Sequence, residues 1–190
     1  MLFVVRRVLL VCGLCLSSSS LRAEEAPPAV RVVGLASAAA AGEPAKEAET
    51  ASLTAAKLKD LPRVTLEGKD RDGMVHRFEG VELHELLARV HVSTGETLRG
   101  PRMREFVLIE GRDGYGCCFS LAELSPAFTD RKVILAETSD GEPLASGVGP
   151  FRVVVEGEKR HSRWVRDVVS IRVLQAPPSA PVSTPAAEAK

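Results

Sequence analysis

An α+β fold built from mainly antiparallel or mixed strands is predicted by three observations. Short runs rich in Val, Ile, Phe and Thr recur along the chain, and Asp-Gly turn signals at Asp72-Gly73, Asp113-Gly114 and Asp140-Gly141 punctuate them. One segment alone, Val81 to Val90, carries a clear helical stripe, with Leu83, Leu86, Leu87 and Val90 at i, i+3, i+4 and i+7. The connections are hairpin-like and long helices are few, which argues against a doubly wound parallel sheet.

Taken in order, Val30 to Leu35 is a short strand within a leader that spans residues 24–51. Ala36 to Ala51 is rich in Ala, Glu, Gly and Pro and reads as an insertion or linker. The rest of the domain is expected over residues 52–175. Thr54 caps a short helix from Ala55 to Asp60 that turns Leu58 and Leu61 inward, and Pro62 stops it. Arg63 to Glu67 and Met74 to Phe78 form a hairpin across Asp72-Gly73, and the leucine-striped helix follows. His84 lies beside the stripe and His91 follows its end.

Thr94 to Arg104 is a polar loop, and Glu105 to Ile109 and Tyr115 to Phe119 make a second hairpin. Ser120 to Glu123 fits a capping box that opens a short helix ending near Pro126. Lys132 to Ala136, Phe151 to Glu156 and Val168 to Leu174 are the last strands, and the apolar alternation on the latter two predicts half-buried β-structure. From Ala176 to Lys190 the Pro, Ala and Ser content predicts a disordered tail.

Residues 1–23 read as a signal peptide. Arg6 and Arg7 precede a short apolar run, Val8 to Leu16, and Ala23 is the expected last residue removed. Export to the periplasm follows. The general secretory route is favoured over the twin-arginine route, because Val5 precedes the arginine pair and the apolar run follows at once. No later segment is apolar enough to span a membrane. Removal of Met1 to Ala23 takes three arginines and no acidic residue, so a chain balanced at 25 against 25 becomes one of formal charge −3. That charge gives no general drive toward nucleic acid.

Between the last two strands, Lys159, Arg160, His161, Arg163 and Arg166 crowd around Trp164, the only tryptophan. Cations fixed beside an aromatic side chain suit an anionic ligand; a solvated basic loop over a core tryptophan fits the same residues. Arg152 carries a similar ambiguity, since pairing with a carboxylate across the sheet would also explain it. Cys117 and Cys118 are adjacent on a strand and point to opposite faces, which predicts one buried thiol and one semi-exposed. His76, His84, His91 and His161 have no metal-ligand spacing, and no phosphate loop or dinucleotide fingerprint is present.

The order of these features resembles a known family. Leu58-Lys59-Asp60-Leu61-Pro62-Arg63-Val64 precedes Phe78-Glu79-Gly80-Val81-Glu82-Leu83-His84-Glu85-Leu86-Leu87. Asp113-Gly114-Tyr115, Phe119 to Leu124, Asp140-Gly141-Glu142-Pro143-Leu144, Gly149-Pro150-Phe151-Arg152 and Arg163-Trp164-Val165 follow. The series resembles the oxidoreductase molybdopterin-binding domain, the sulfite-oxidase-like fold, over roughly Val30 to Leu174. The resemblance implies a β-rich domain and, in catalytic members, a cysteine thiolate on molybdenum. The corresponding interval here, Val64 to Gly73, contains no cysteine, and Asp140 stands where the family has an asparagine. Carboxylate and amine are poor substitutes for a thiolate on so soft a metal.

The resemblance places basic residues of this half of the domain near the pterin phosphate, so Arg152, His161, Arg163 and Trp164 are the candidate cofactor-binding residues. No catalytic residue and no metal ligand is assigned. The expected function is an exported family member that keeps the scaffold without the metal ligand, a binding or accessory module for an anionic small molecule or a protein partner. An active molybdopterin-dependent oxidoreductase and a purely structural interaction domain are the alternatives. No cofactor is expected from the residues themselves; molybdopterin enters through the resemblance alone.

Overall fold

Strand pairing rather than helix packing sets the architecture. The computed structural model describes residues 28–35 and 48–177. The expected signal peptide, most of the Ala/Glu-rich insertion and most of the Pro/Ala-rich tail lie outside the described residues.

In chain order the strands are β1 (Ala29–Val33), β2 (Thr50–Thr54), β3 (Arg63–Lys69), β4 (Val75–Glu82), β5 (Glu105–Gly111), β6 (Gly116–Ser120), β7 (Val133–Ser139), β8 (Glu142–Pro143), β9 (Arg152–Val155) and β10 (Val168–Gln175). Two helices, α1 (Ala55–Leu58) and α2 (Leu83–Ala88), join short 3-10 turns between them. One five-stranded sheet has the order β2-β1-β10-β5-β6. The other runs β3-β4-β7, with β8 and β9 both paired to β7. Every pairing is antiparallel except β1 with β10, so the first sheet is mixed and the second antiparallel.

One apolar core takes side chains from both sheets and from α2: Val107, Ile109 and Ile171 from the first, Leu66, Phe78 and Leu135 from the second, Leu83, Leu86 and Leu87 from the helix. The leucine stripe therefore faces inward as its period predicts, and Leu86 and Leu87 are fully buried.

Several boundaries differ from the sequence reading, each for a physical reason. The helix expected over Val81 to Val90 begins at Leu83, because β4 continues pairing with β7 through Val81↔Leu135 and Glu82↔Ile134. Gly80 permits this approach: a Cβ there would lie 2.0 Å from the Leu135 carbonyl oxygen. Thr50 and Ala51, read as the end of the insertion, belong to β2, an edge strand with one buried side chain, Leu53. So little burial leaves a weak period-two pattern. The helix from Ala55 ends at Leu58, capped by the Thr54 hydroxyl accepting from the Lys57 N–H at 3.4 Å. The capping box at Ser120 forms in both directions, yet it supports only the 3-10 turn Ala122–Leu124. Strand β9 is buried on both faces, not half-buried: Arg152 to Val155 are all buried. A strand covered on both sides shows little alternation.

Candidate functional site

The β3–β4 hairpin, the start of β9 and the basic loop before β10 converge on Trp164. Gly68, near the end of β3, lies under the indole, where a Cβ would come within 2.6 Å of Trp164 Cη2. The Phe78 ring meets the indole edge-on at 5.5 Å, and the His161 ring does so at 4.7 Å. His161 Nε2–H donates to the Lys69 carbonyl oxygen at 2.5 Å, which ties the basic loop to the end of β3. Trp164 is buried, and its indole N–H has no acceptor among the described residues.

Arg152 crosses this cluster. Its guanidinium stands 5.0 Å from the Trp164 ring centroid and 5.5 Å from that of Phe78. Both Nη groups donate to Asp70, Nη1 to Oδ2 at 2.5 Å and Nη2 to Oδ1 at 2.8 Å. This two-point fork is the strongest geometry open to an arginine and a carboxylate. It holds the Asp70 carboxyl well down, to about 2, with burial opposing the shift. Asp70 thus occupies both Nη groups, while the buried Nε–H has no acceptor among the described residues.

Of the four candidate residues, Arg152, His161 and Trp164 are brought together. Arg163 has different neighbours: its guanidinium lies over the Phe119 ring at 5.0 Å and donates to Glu158 and Glu123. Through Glu123 it ties the basic loop to the turn after β6, while Glu158 lies within the loop itself. Both arginines are therefore neutralised from within the chain.

Beside this cluster a cavity of about 340 Å³ opens between the β3–β4 hairpin, the β5–β6 turn and the basic loop. Arg71, Asp113, Tyr115, His161, Trp164 and Arg166 line it. Gly111 allows the loop to close on the turn, since a Cβ there would sit 2.5 Å from the Arg166 carbonyl oxygen. Arg112 N–H donates to the Asp167 carbonyl at 2.9 Å beside it. The Tyr115 hydroxyl donates to the Ser162 carbonyl at 2.5 Å and pins its ring in the wall. Arg71, Tyr115 and Arg166 were not singled out as a group from sequence. The turns that gather them were legible, but the distances between three separate turns were not.

The cysteines lie apart from the cluster. Both are free; Cys117 is half-buried and Cys118 exposed, each more open than the buried and semi-exposed pair expected, because β6 is an edge strand. Burial pushes the Cys117 thiol up to about 11, so it stays protonated at neutral pH. Among the described residues no group of three or more His, Cys, Asp or Glu side chains is placed to hold a metal ion. None of the described helices is long and apolar enough to cross a membrane.

The comparisons with known proteins fit this architecture. The crystal structure of the sulfane dehydrogenase SoxCD from Paracoccus pantotrophus aligns with a TM-score of 0.51 at 23% identity, over 77% of this chain and 38% of that one. Likeness at that identity speaks to the fold, which is the β-rich, sulfite-oxidase-like one, and the chain spans well under half of that structure's chain. No curated protein matches the sequence. The family model described as "oxidoreductase molybdopterin binding domain" matches residues 64–182. The chain belongs to the oxidoreductase molybdopterin binding domain family.

Proposed function

We propose that this chain is an exported binding or accessory module that uses the molybdopterin-binding scaffold without molybdenum redox chemistry. The observation that carries the reading is the Asp70–Arg152 pair, set in a hairpin that has no thiolate.

The residues present do not fit the family's cofactor. Molybdenum in a dithiolene complex calls for a soft thiolate, and the interval Val64 to Gly73 offers none. At Gly68 the Trp164 ring leaves no room for a side chain. Arg152 and Arg163 face Asp70, Glu158 and Glu123, so neither presents a free guanidinium to a pterin phosphate. Cys117 is on β6, beside Arg163 rather than beside Arg152, and is held as the thiol.

Binding remains the chemistry this surface supports. The cavity beside Trp164 retains His161 and adds Arg71 and Arg166, which suits an anionic small molecule. Arg152 and Arg163 then act as ties that shape the wall. The basic n-region and short apolar run of residues 1–23 support export, with the periplasm as destination.

The test is fractionation of cells followed by pterin analysis. The chain is expected in the periplasmic fraction, with and without a working twin-arginine pathway. Acid denaturation of the purified protein is expected to release no fluorescent pterin. Pterin released in proportion to protein, and lost with that pathway, would restore the oxidoreductase reading.

A further inference from the structure

We infer that the cavity beside Tyr115 binds a small planar monocarboxylate, with Arg71 and Arg166 holding its acid group. This inference rests on the reading of the chain as a binding module and names the ligand class of that module.

Two arginines without carboxylate partners converge on the cavity. Arg63, Arg102, Arg112, Arg152, Arg163 and Arg172 all have carboxylate partners. Arg71 and Arg166 both line the cavity, both are exposed, and neither has a side-chain hydrogen bond or ion pair among the described residues. They come from different elements, the tip of the β3–β4 hairpin and the end of the basic loop, so their convergence is a product of the fold. A guanidinium fork matches a carboxylate in shape as well as charge.

Charge and size narrow the class. Asp113 shares the cavity, so the formal balance of Arg71, Arg166 and Asp113 is +1. One negative charge on the ligand matches that balance, and a second would meet Asp113. A volume of about 340 Å³ stands at the lower end of the roughly 300–1,000 Å³ range of ligand pockets, so the ligand is small.

The walls favour a planar body. The Tyr115 ring is half exposed and held at its hydroxyl by Ser162, and the His161 ring is held by Lys69. Two anchored rings offer flat contact at little cost in side-chain entropy. His161 Nδ1 has no partner among the described residues.

Trp164 is the only tryptophan, so its emission reports the cavity without a label. The full exported chain is titrated with benzoate at low ionic strength, with benzamide and sulfate as separate arms, and with R71Q and R166Q beside the wild type. A saturable benzoate response is expected, absent with benzamide and weaker with sulfate. Each arginine variant should bind benzoate about tenfold or more weakly, with its unfolding midpoint unchanged. Equal response to benzamide, tighter sulfate binding, arginine variants that bind like wild type, or no saturable response would each overturn the inference. Failure in a pterin-free chain removes this ligand and leaves the module reading standing. A chain that carries pterin removes both.

Discussion

Asp70 and Arg152, 82 residues apart, meet in a two-point ion pair that ties the β3–β4 hairpin to the start of β9. Arg152 is buried, so its charge depends on Asp70 for compensation. Removing the carboxylate alone by Asp70→Ala is expected to destabilise the fold by about 3–5 kcal/mol, since a buried charge is left unpaired. Replacing both partners, as in Asp70→Ala with Arg152→Met, is expected to cost less than the sum of the single changes. Urea unfolding of the four proteins measures the coupling, and additive costs would show that the pair is not the tie described here.

The same pair predicts acid sensitivity. The Asp70 carboxyl is lowered from 3.8 to about 2 in the folded chain, chiefly by its hydrogen bonds to Arg152. The unfolded chain therefore takes up this proton first as pH falls. The stabilisation is fully present above about pH 4 and is lost as pH falls toward 2, amounting to at most about 2 kcal/mol. Unfolding midpoints measured between pH 5 and 2 are expected to fall less steeply in Asp70→Asn than in wild type.

His76 forms a second clasp, with opposite pH dependence. Its Nδ1 bonds to Asp140 at 2.6 Å and its Nε2 to Asp72 at 2.7 Å, joining the β3–β4 turn to the β7–β8 turn. These hydrogen bonds, to Asp140 first and Asp72 second, raise the imidazole above its ordinary value. The contribution is present below about pH 6.5 and is lost as pH rises through the higher folded value. Hydrogen exchange at the hairpin tip is expected to quicken over that rise, beyond the ordinary base catalysis, and His76→Gln is expected to abolish the extra increase.

Gly68 tests how closely the tryptophan covers β3. Gly68→Ala places a methyl within 2.6 Å of Trp164 Cη2, and overpacking of this kind costs about 1–3 kcal/mol. A shift in Trp164 emission should accompany the loss. An unchanged midpoint and spectrum would mean that the ring does not rest on Gly68.

Helix α2 supplies the core test. Leu87 is fully buried, so Leu87→Ala is expected to cost about 2–5 kcal/mol by denaturant unfolding. Loss well below that range would place the leucine stripe at the surface.

The fold was largely readable from local signals. The turn dipeptides and the leucine spacing located the hairpins and α2, because each is a property of a few neighbouring residues. Boundaries set by pairing across the sheets were less readable: β4 runs on to Glu82 because β7 lies beside it, and Gly80 gave no warning of that. The loop around Trp164 stood out by composition, yet its electrostatics did not. Asp70 lay unremarked between two strands, and Glu123 read as part of a cap, until the fold set them against Arg152 and Arg163. Arg71 and Arg166 were indistinguishable from other surface cations, since what sets them apart is the cavity they share across two separate turns.

The central claim is that this member of the family works without its metal. The most direct measurement is molybdenum per chain, by elemental analysis, in protein purified from the periplasm of a host that makes the cofactor. The account predicts molybdenum far below one atom per chain, unchanged when the twin-arginine pathway is blocked. Close to one atom per chain, lost on blocking that pathway, would contradict it.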